Sequence, residues 1–563
     1  MKHRAVKRRS VVLGLGATAG VAAVGGIALS AQASNGTSTS SSSDAGSLAF
    51  DPDAYTKLTT TVTDTAGDEH SVTYHFWKAI TYVAKPVDAA YQSLNVSVPV
   101  EIDGAAVDAS DAPILFANSV GGYMPSSVAD ATGIGAGGMG GGMGGGAPSG
   151  APSTSTSTST SASASASASA SASATAPGAN GNTNATGGAL AGNQLLALAA
   201  GYVVVEPGAR GRTLKNSAGE YYGVAPAAIV DLKAAVRYVR ANKGVIPGDT
   251  DRIVSAGTSA GGALSSLLGA SGDSPLYAKY LKELGAADAS DAIFATGAWC
   301  PITDLEHADG SYEWNWGANA LSTGEQVDQT VSKTLQSQFA EYQAGLKLRG
   351  LNGFGTLNAR NYDEYLVEQY LEPSATTYLA ALSDSARATY LAANTFITWK
   401  NGKATFSWAD FLTHVGARKK NTPAFDAFDL SAGENNEFGK GTVISRHFTA
   451  YSLKNDTTGL TAKRLDSDVP EMLRLMNPMY FLTDKPNEAR SKHWWIRLGT
   501  KDSDTSLTVS ANIAAAANGL GDDVDHLYYW DEGHGANTDP GDFIAWIAKV
   551  TGHKAKAGAK VKK

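Results

Sequence analysis

Short apolar runs alternate with amphipathic helical stretches through most of this chain, and that alternation restricts its fold more than any other feature. Candidate strands are 94–100, 113–117, 202–206, 252–256, 293–298, 493–498 and 526–530. Candidate helices separate them. In 226–242, Ile229, Leu232, Val236 and Val239 fall at helical spacing, Pro226 suits the first turn and Gly244 follows the end. The stretch 542–550 repeats the pattern with Phe543, Trp546, Ile547 and Val550. Strands that are apolar throughout and separated by helices need cover on both faces, so the predicted class is α/β, a mostly parallel, doubly wound sheet. From 305 to 488 the alternation breaks and the pattern is mainly helical, as in Val327, Val331, Leu335, Phe339 and Tyr342. This reads as a large lid inserted between late strands, which divides the core into 51–304 and 489–552.

The two ends and two biased tracts lie outside that scheme. Lys2, Arg4, Lys7, Arg8 and Arg9 precede a mildly apolar stretch, and Ala31-Gln32-Ala33 offers small residues for cleavage, so 1–33 reads as an export signal. Arg8-Arg9 followed by Ser10-Val11-Val12-Leu13 is twin-arginine-like, which places the chain outside the cell or at its surface. The Gly and Ala content of the stretch gives too little transfer free energy for a stable membrane anchor. Residues 34–50 read as a flexible linker, and 132–190, built from Met-Gly-Gly, Ser-Thr and Ser-Ala repeats, as a disordered insertion with almost nothing apolar to bury. The Lys-rich tail 553–563 is a solvated end, or an attachment to an anionic wall polymer. The single cysteine, Cys300, allows no internal disulfide. A net charge of −8, more acidic still once the five signal cations are lost, excludes nucleic acid as the expected partner. No 20–50-residue repeat is present, which argues against propellers and solenoids.

Gly257-Thr258-Ser259-Ala260-Gly261 has the form GxSxG. In a chain with 62 glycines about one chance match is expected, so the string alone says little. Its flanks say more. Ile253-Val254-Ser255-Ala256 leads in as a strand and 260–268 leads out as a helix, the strand, tight turn and helix of the α/β-hydrolase nucleophile elbow. Ser259 is the candidate nucleophile, and the Ala260 amide at the helix start a candidate oxyanion donor. The second donor in such a fold comes from a glycine-rich loop after an earlier strand, and Gly122 in Asn118-Ser119-Val120-Gly121-Gly122-Tyr123 fits.

A serine hydroxyl needs a histidine base, and the histidine a carboxylate that fixes its tautomer. In this fold the chain order is serine, acid, histidine. Asp502 follows the strand 493–498, with Asp504 as its competitor; His534, between Gly533 and Gly535, follows the strand 526–530. His526 also competes, but it lies inside an apolar strand where packing is its expected role. His307, in Glu306-His307-Ala308-Asp309, lacks the second histidine group of a metal site and reads as a hydrogen-bonded lid base; no metal or other cofactor is implied.

The chain resembles bacterial tannases, the lidded feruloyl-esterase-like α/β-hydrolases. Beyond the elbow the likeness is carried by 117–123, by Gly208-Ala209-Arg210-Gly211-Arg212-Thr213, by Cys300-Pro301-Ile302 with 305–309, and by Pro423-Ala424-Phe425-Asp426 and Glu434-Asn435-Asn436. It spans nearly all of the chain except both ends and 132–190, where this sequence departs from the family. The resemblance implies hydrolysis of gallic acid esters, a triad at Ser259, Asp502 and His534, oxyanion donors at Gly122 and Ala260, and a phenolic ester as partner. It also implies that Lys420, Glu434 and Asp504 hold the three ring hydroxyls. A feruloyl or general aryl esterase of the same fold is the alternative, followed by a peptidase with the same elbow and by a catalytically dead, wall-associated binding protein.

Overall fold

The computed structural model describes residues 48–135, 138–139 and 188–554. The export signal, most of the linker, the bulk of the biased tract and the tail from 555 onward lie outside the described residues. Inside the stretch read as linker, Phe50 is already packed: its amide donates to Asn242 Oδ1 at 2.8 Å and its ring meets Trp77 with centroids 5.2 Å apart. The biased tract is likewise structured at its margins. Gly138–Met139 pairs with Ser126–Ser127, and the helix Gly188–Ala199 begins within it.

A ten-stranded sheet organises the molecule. Its principal strands are β1 (Thr56–Thr63), β2 (Glu69–Thr81), β3 (Ser93–Ile102), β4 (Pro113–Ala117), β5 (Val203–Pro207), β6 (Asp249–Thr258), β7 (Ala295–Trp299), β8 (His493–Gly499) and β9 (Asp523–Tyr529). They lie in the order β1-β2-β3-β5-β4-β6-β7-β8-β9. From β5 to β9 every pairing is parallel; β1 to β3 form an antiparallel extension at one edge, with β3 antiparallel to β5. The expected α/β-hydrolase class is therefore borne out. β4, β5 and β7 are buried along their whole length, because helices cover both faces, and their continuous apolar sequences reflect this. The sequence pattern missed the β1–β2 hairpin. Thr56–Thr63 is largely exposed and rich in threonine, so it carries no apolar run to detect.

Between β7 and β8 the chain leaves the sheet for a mainly helical insertion that also holds two short hairpins, Arg349–Gly350 with Gly355–Thr356 and Thr398–Lys400 with Lys403–Thr405. Polar contacts pin it to the loop after β8. Trp316 Nε1 donates to the Thr505 carbonyl and the Tyr312 hydroxyl to the Ser503 carbonyl, both at 2.9 Å. The Lys420 amide donates in turn to the Tyr312 hydroxyl at 3.1 Å. Beneath this segment Arg418 and Glu313 form a fully buried, two-pronged ion pair, with Arg418 Nε also holding the Lys420 carbonyl at 2.8 Å.

Removing one member of such a pair strands the other charge in the core, which costs far more than the pair contributes. Glu313→Ala is expected to lower stability by about 3–5 kcal/mol, and replacing both residues by apolar ones of similar volume to cost much less. Urea unfolding of the two variants checks this; equal losses would refute it.

Candidate active site

β4, β6, β7, β8 and β9 run parallel, so their carboxyl ends lie along one edge of the sheet, the edge where ligands bind in open parallel sheets. Ser259 stands at the end of β6 with φ 60° and ψ −122°, and the helix Ala260–Ala270 starts at the next residue. An L-residue in this conformation is strained, and the surroundings hold it: its amide donates to the Trp299 carbonyl at 3.0 Å, its carbonyl accepts from Ala263 at 2.9 Å. The turn can close only without side chains. A Cβ at Gly257 would lie 2.1 Å from the Gly261 carbonyl oxygen, and one at Gly262 would lie 2.4 Å from that of Trp299.

His534 Nε2 lies 2.9 Å from Ser259 Oγ, and its Nδ1 lies 2.8 Å from Asp502 Oδ2. Asp502 is buried, and its second oxygen accepts the Asp504 amide at 2.9 Å. Between the two competing acids the structure thus puts Asp502 on the imidazole. Burial by itself would lower the His534 pKa, but the Asp502 carboxylate overrides it and pushes the group up to about 11, with a further contribution from Cys300. His526 is far from comparable: its ring packs against Tyr370 and Tyr528, neither ring nitrogen has a partner among the described residues, and desolvation holds its pKa well below 6.5. His307 is hydrogen-bonded to Asp304 at 2.9 Å and stacked on Tyr342 with centroids 3.5 Å apart.

Sequence reasoning used Cys300 to exclude disulfides and as part of a family-like segment but gave it no place in the site, yet its Sγ stands 3.9 Å from His534 Nε2. Cys300, Asp502 and His534 have donor atoms within 4.8 Å of one another, a set that could take a soft cation. Asp502 and His534 already bond to each other, and His534 to Ser259, so these donors are engaged without a metal.

The loop after β4 lies beside the elbow. Asn118 Nδ2 donates to the carbonyls of Ala256 and Gly261, both at 3.1 Å, which ties the loop to β6 and to the helix start. Gly122 and Tyr123 both have φ of 55°, and the Tyr123 hydroxyl donates to the Ile302 carbonyl at 2.8 Å. Neither the Gly122 nor the Ala260 amide donates to an acceptor among the described residues. The insertion contributes Lys420 and Glu434, 3.6 Å apart, with only 19% and 18% of their side chains exposed. Lys420 Nζ also sits over the Phe425 ring, 3.6 Å from its centroid. Asp504 is paired instead with Lys419, at 2.7 and 2.9 Å, a neighbour the sequence did not single out.

Comparison with known proteins is decisive. A tannin acyl hydrolase structure in complex with 3,4-dihydroxybenzoate is 34% identical over 90% of this chain and 99% of that chain, with a TM-score of 0.70. The Fusobacterium nucleatum tannase and the native Lactobacillus plantarum tannin acyl hydrolase are each 33% identical over the same shares, with TM-scores of 0.71. The chain belongs to the bacterial tannase family. Residues 180–344 match the feruloyl-esterase-like family model BD-FAE, and no curated protein matches. Family membership makes the chain an ester hydrolase of the phenolic-ester group, in agreement with the resemblance found in the sequence.

Only neutral imidazole can accept a proton from Ser259, and the neighbouring carboxylate favours the charged form. The kcat/KM for an aryl ester is therefore expected to rise with pH along a limb centred above the ordinary histidine value of 6.5. Asp502→Asn should move that limb down and lower kcat by about 10⁴-fold. A wild-type midpoint at or below 6.5 would contradict this account of His534.

Proposed function

We propose that this chain is an exported serine esterase that hydrolyses galloyl esters through an acyl-enzyme. The observation that carries the reading is His534 bridging Asp502 and Ser259 at 2.8 and 2.9 Å. His534 Nε2 takes the Ser259 proton as Oγ attacks the ester carbonyl, while Asp502 holds Nδ1–H and stabilises the imidazolium. The tetrahedral oxyanion rests on the amides of Gly122 and Ala260. The C–O bond to the alcohol breaks, and the alcohol leaves with the proton from Nε2. Water, deprotonated by the same nitrogen, then attacks the acyl-enzyme and releases the phenolic acid and Ser259. Lys420, Glu434 and Asp504 supply an ammonium and two carboxylates for adjacent ring hydroxyls. A site built to pair hydroxyls disfavours rings that lack them, since its own groups are left unpaired. The match to a feruloyl-esterase-like model keeps ferulate esters as the second reading.

Ser259→Ala should lose roughly 10⁴- to 10⁶-fold in kcat on methyl gallate and no longer be labelled stoichiometrically by a fluorophosphonate. Glu434→Ala or Asp504→Ala should cut the preference for methyl gallate over methyl ferulate by about 10- to 100-fold. Product analysis on the two esters measures both effects, and an unchanged preference in both variants would transfer the assignment to ferulate or general aryl esters. The proposed export rests on the basic start with its Arg8-Arg9 pair and on Ala31-Gln32-Ala33. Replacing both arginines by lysine should leave the protein inside the cell, which fractionation would detect. No helix among the described residues is long and apolar enough to cross a membrane. The Lys-rich end suits retention at an anionic wall.

A further inference from the structure

Arg212 touches both halves of the proposed site without belonging to either. Its Nε donates to the Gly122 carbonyl at 2.7 Å, and its Nη1 donates to the carbonyl of Gly433, the residue before Glu434. Its own amide donates to the Tyr123 carbonyl at 3.0 Å. The approach is possible because residue 211 has no side chain: a Cβ on Gly211 would lie 2.2 Å from the backbone of Met124 and Pro125. The same holds at the other end, where a Cβ on Gly433 would lie 2.7 Å from both terminal nitrogens of the guanidinium. The fork is thus spent on two neutral carbonyls rather than on an ion pair. Glu437, on the same short helix as Glu434, is fully buried, and neither carboxyl oxygen is hydrogen-bonded among the described residues.

Gly122 and Tyr123 follow each other with φ of 55°, a backbone that a tyrosine seldom adopts unless its surroundings hold it. Fixing the Gly122 carbonyl fixes the rotation of the peptide that follows it and restricts the one before, which carries the Gly122 amide. We propose that Arg212 is a positioning residue, clamping the oxyanion loop to the ring-binding segment so that hydroxyl binding at Glu434 is transmitted to the aim of the Gly122 amide. The inference rests on the galloyl esterase reading above and adds a device that joins its two parts. Ring recognition then raises kcat rather than only lowering KM, since binding energy is realised at the oxyanion.

The test measures kcat and KM separately on methyl gallate and methyl benzoate. Arg212→Ala, with thermal stability followed in parallel, should lower kcat on methyl gallate by about 10- to 100-fold with a smaller change in KM, the scale of a slightly misplaced catalytic group. Millimolar guanidinium should restore part of that loss. Gly433→Ala leaves the oxyanion loop untouched but pushes the guanidinium away, and should act in the same direction. The losses from Arg212→Ala and Glu434→Ala should be less than multiplicative in the double variant. Should Arg212→Ala fail to fold, Arg212→Lys, which can reach only one carbonyl at a time, and Gly433→Ala carry the same expectations. The clamp is refuted if kcat stays within about twofold, if the whole effect falls on KM, or if the two losses multiply. Wild-type protein that does not turn over methyl gallate would refute the esterase reading instead, so the two failures are distinguishable.

Discussion

The molecule depends on a backbone contact that tolerates no side chain. Where β6 meets the helix Ala260–Ala270, residues 257 and 261 approach so closely that even a methyl group would overlap a carbonyl. That contact forces Ser259 into its left-handed conformation and lifts its hydroxyl above the sheet. Asn118 then bonds to both sides of the same turn, so the loop after β4 is registered on it. β7 is registered too, because the Trp299 carbonyl accepts the Ser259 amide. Three strands and one helix are thereby aligned to a single corner, and the remaining groups of the candidate site need only reach it.

They reach it from the two strands added beyond β7. The insertion stands between them and β7 in sequence, yet it is not independent of the acid loop. Tyr312 links Lys420 to Ser503, and Arg418, anchored on Glu313, fixes the Lys420 carbonyl. Lys420, proposed to face a bound ring, is therefore braced by the same buried pair that anchors part of the insertion. Lys419 pairs with Asp504, so on the proposed reading a ring hydroxyl offered to that carboxylate would meet an acceptor already sharing its charge.

Much of this was legible in the sequence where the signal was local. Apolar runs located the inner strands because parallel strands are buried on both faces, and the glycine spacing marked the β6 corner because only that spacing lets the turn close. Chain order narrowed the acid to Asp502 or Asp504 and the base to His534 or His526, and the contact of Asp502 with the His534 ring decided the acid. Signals that depend on how separate loops meet could not be read in this way. Cys300 shows nothing in sequence that would place it beside an imidazole. Lys419 and Lys420 are adjacent in a polar segment, and only the path of that segment over Tyr312 and Phe425 sends them to different carboxylates. Arg212 sits in a recognisable motif, but its partners are the carbonyls of Gly122 and Gly433, one 90 residues before it and the other 221 after it. The β1–β2 hairpin was missed because an edge that is exposed on most of its surface needs no hydrophobic code.

The order of the strands has a temporal side. Ser259 belongs to the first half of the chain, whereas Asp502 and His534 leave the ribosome only after the whole insertion has been made. The serine corner is therefore synthesised long before the base and acid proposed for it. Contacts this distant in sequence form slowly and late. On the proposed mechanism turnover begins only once β8 and β9 have joined the sheet, so its onset would report completion of the sheet.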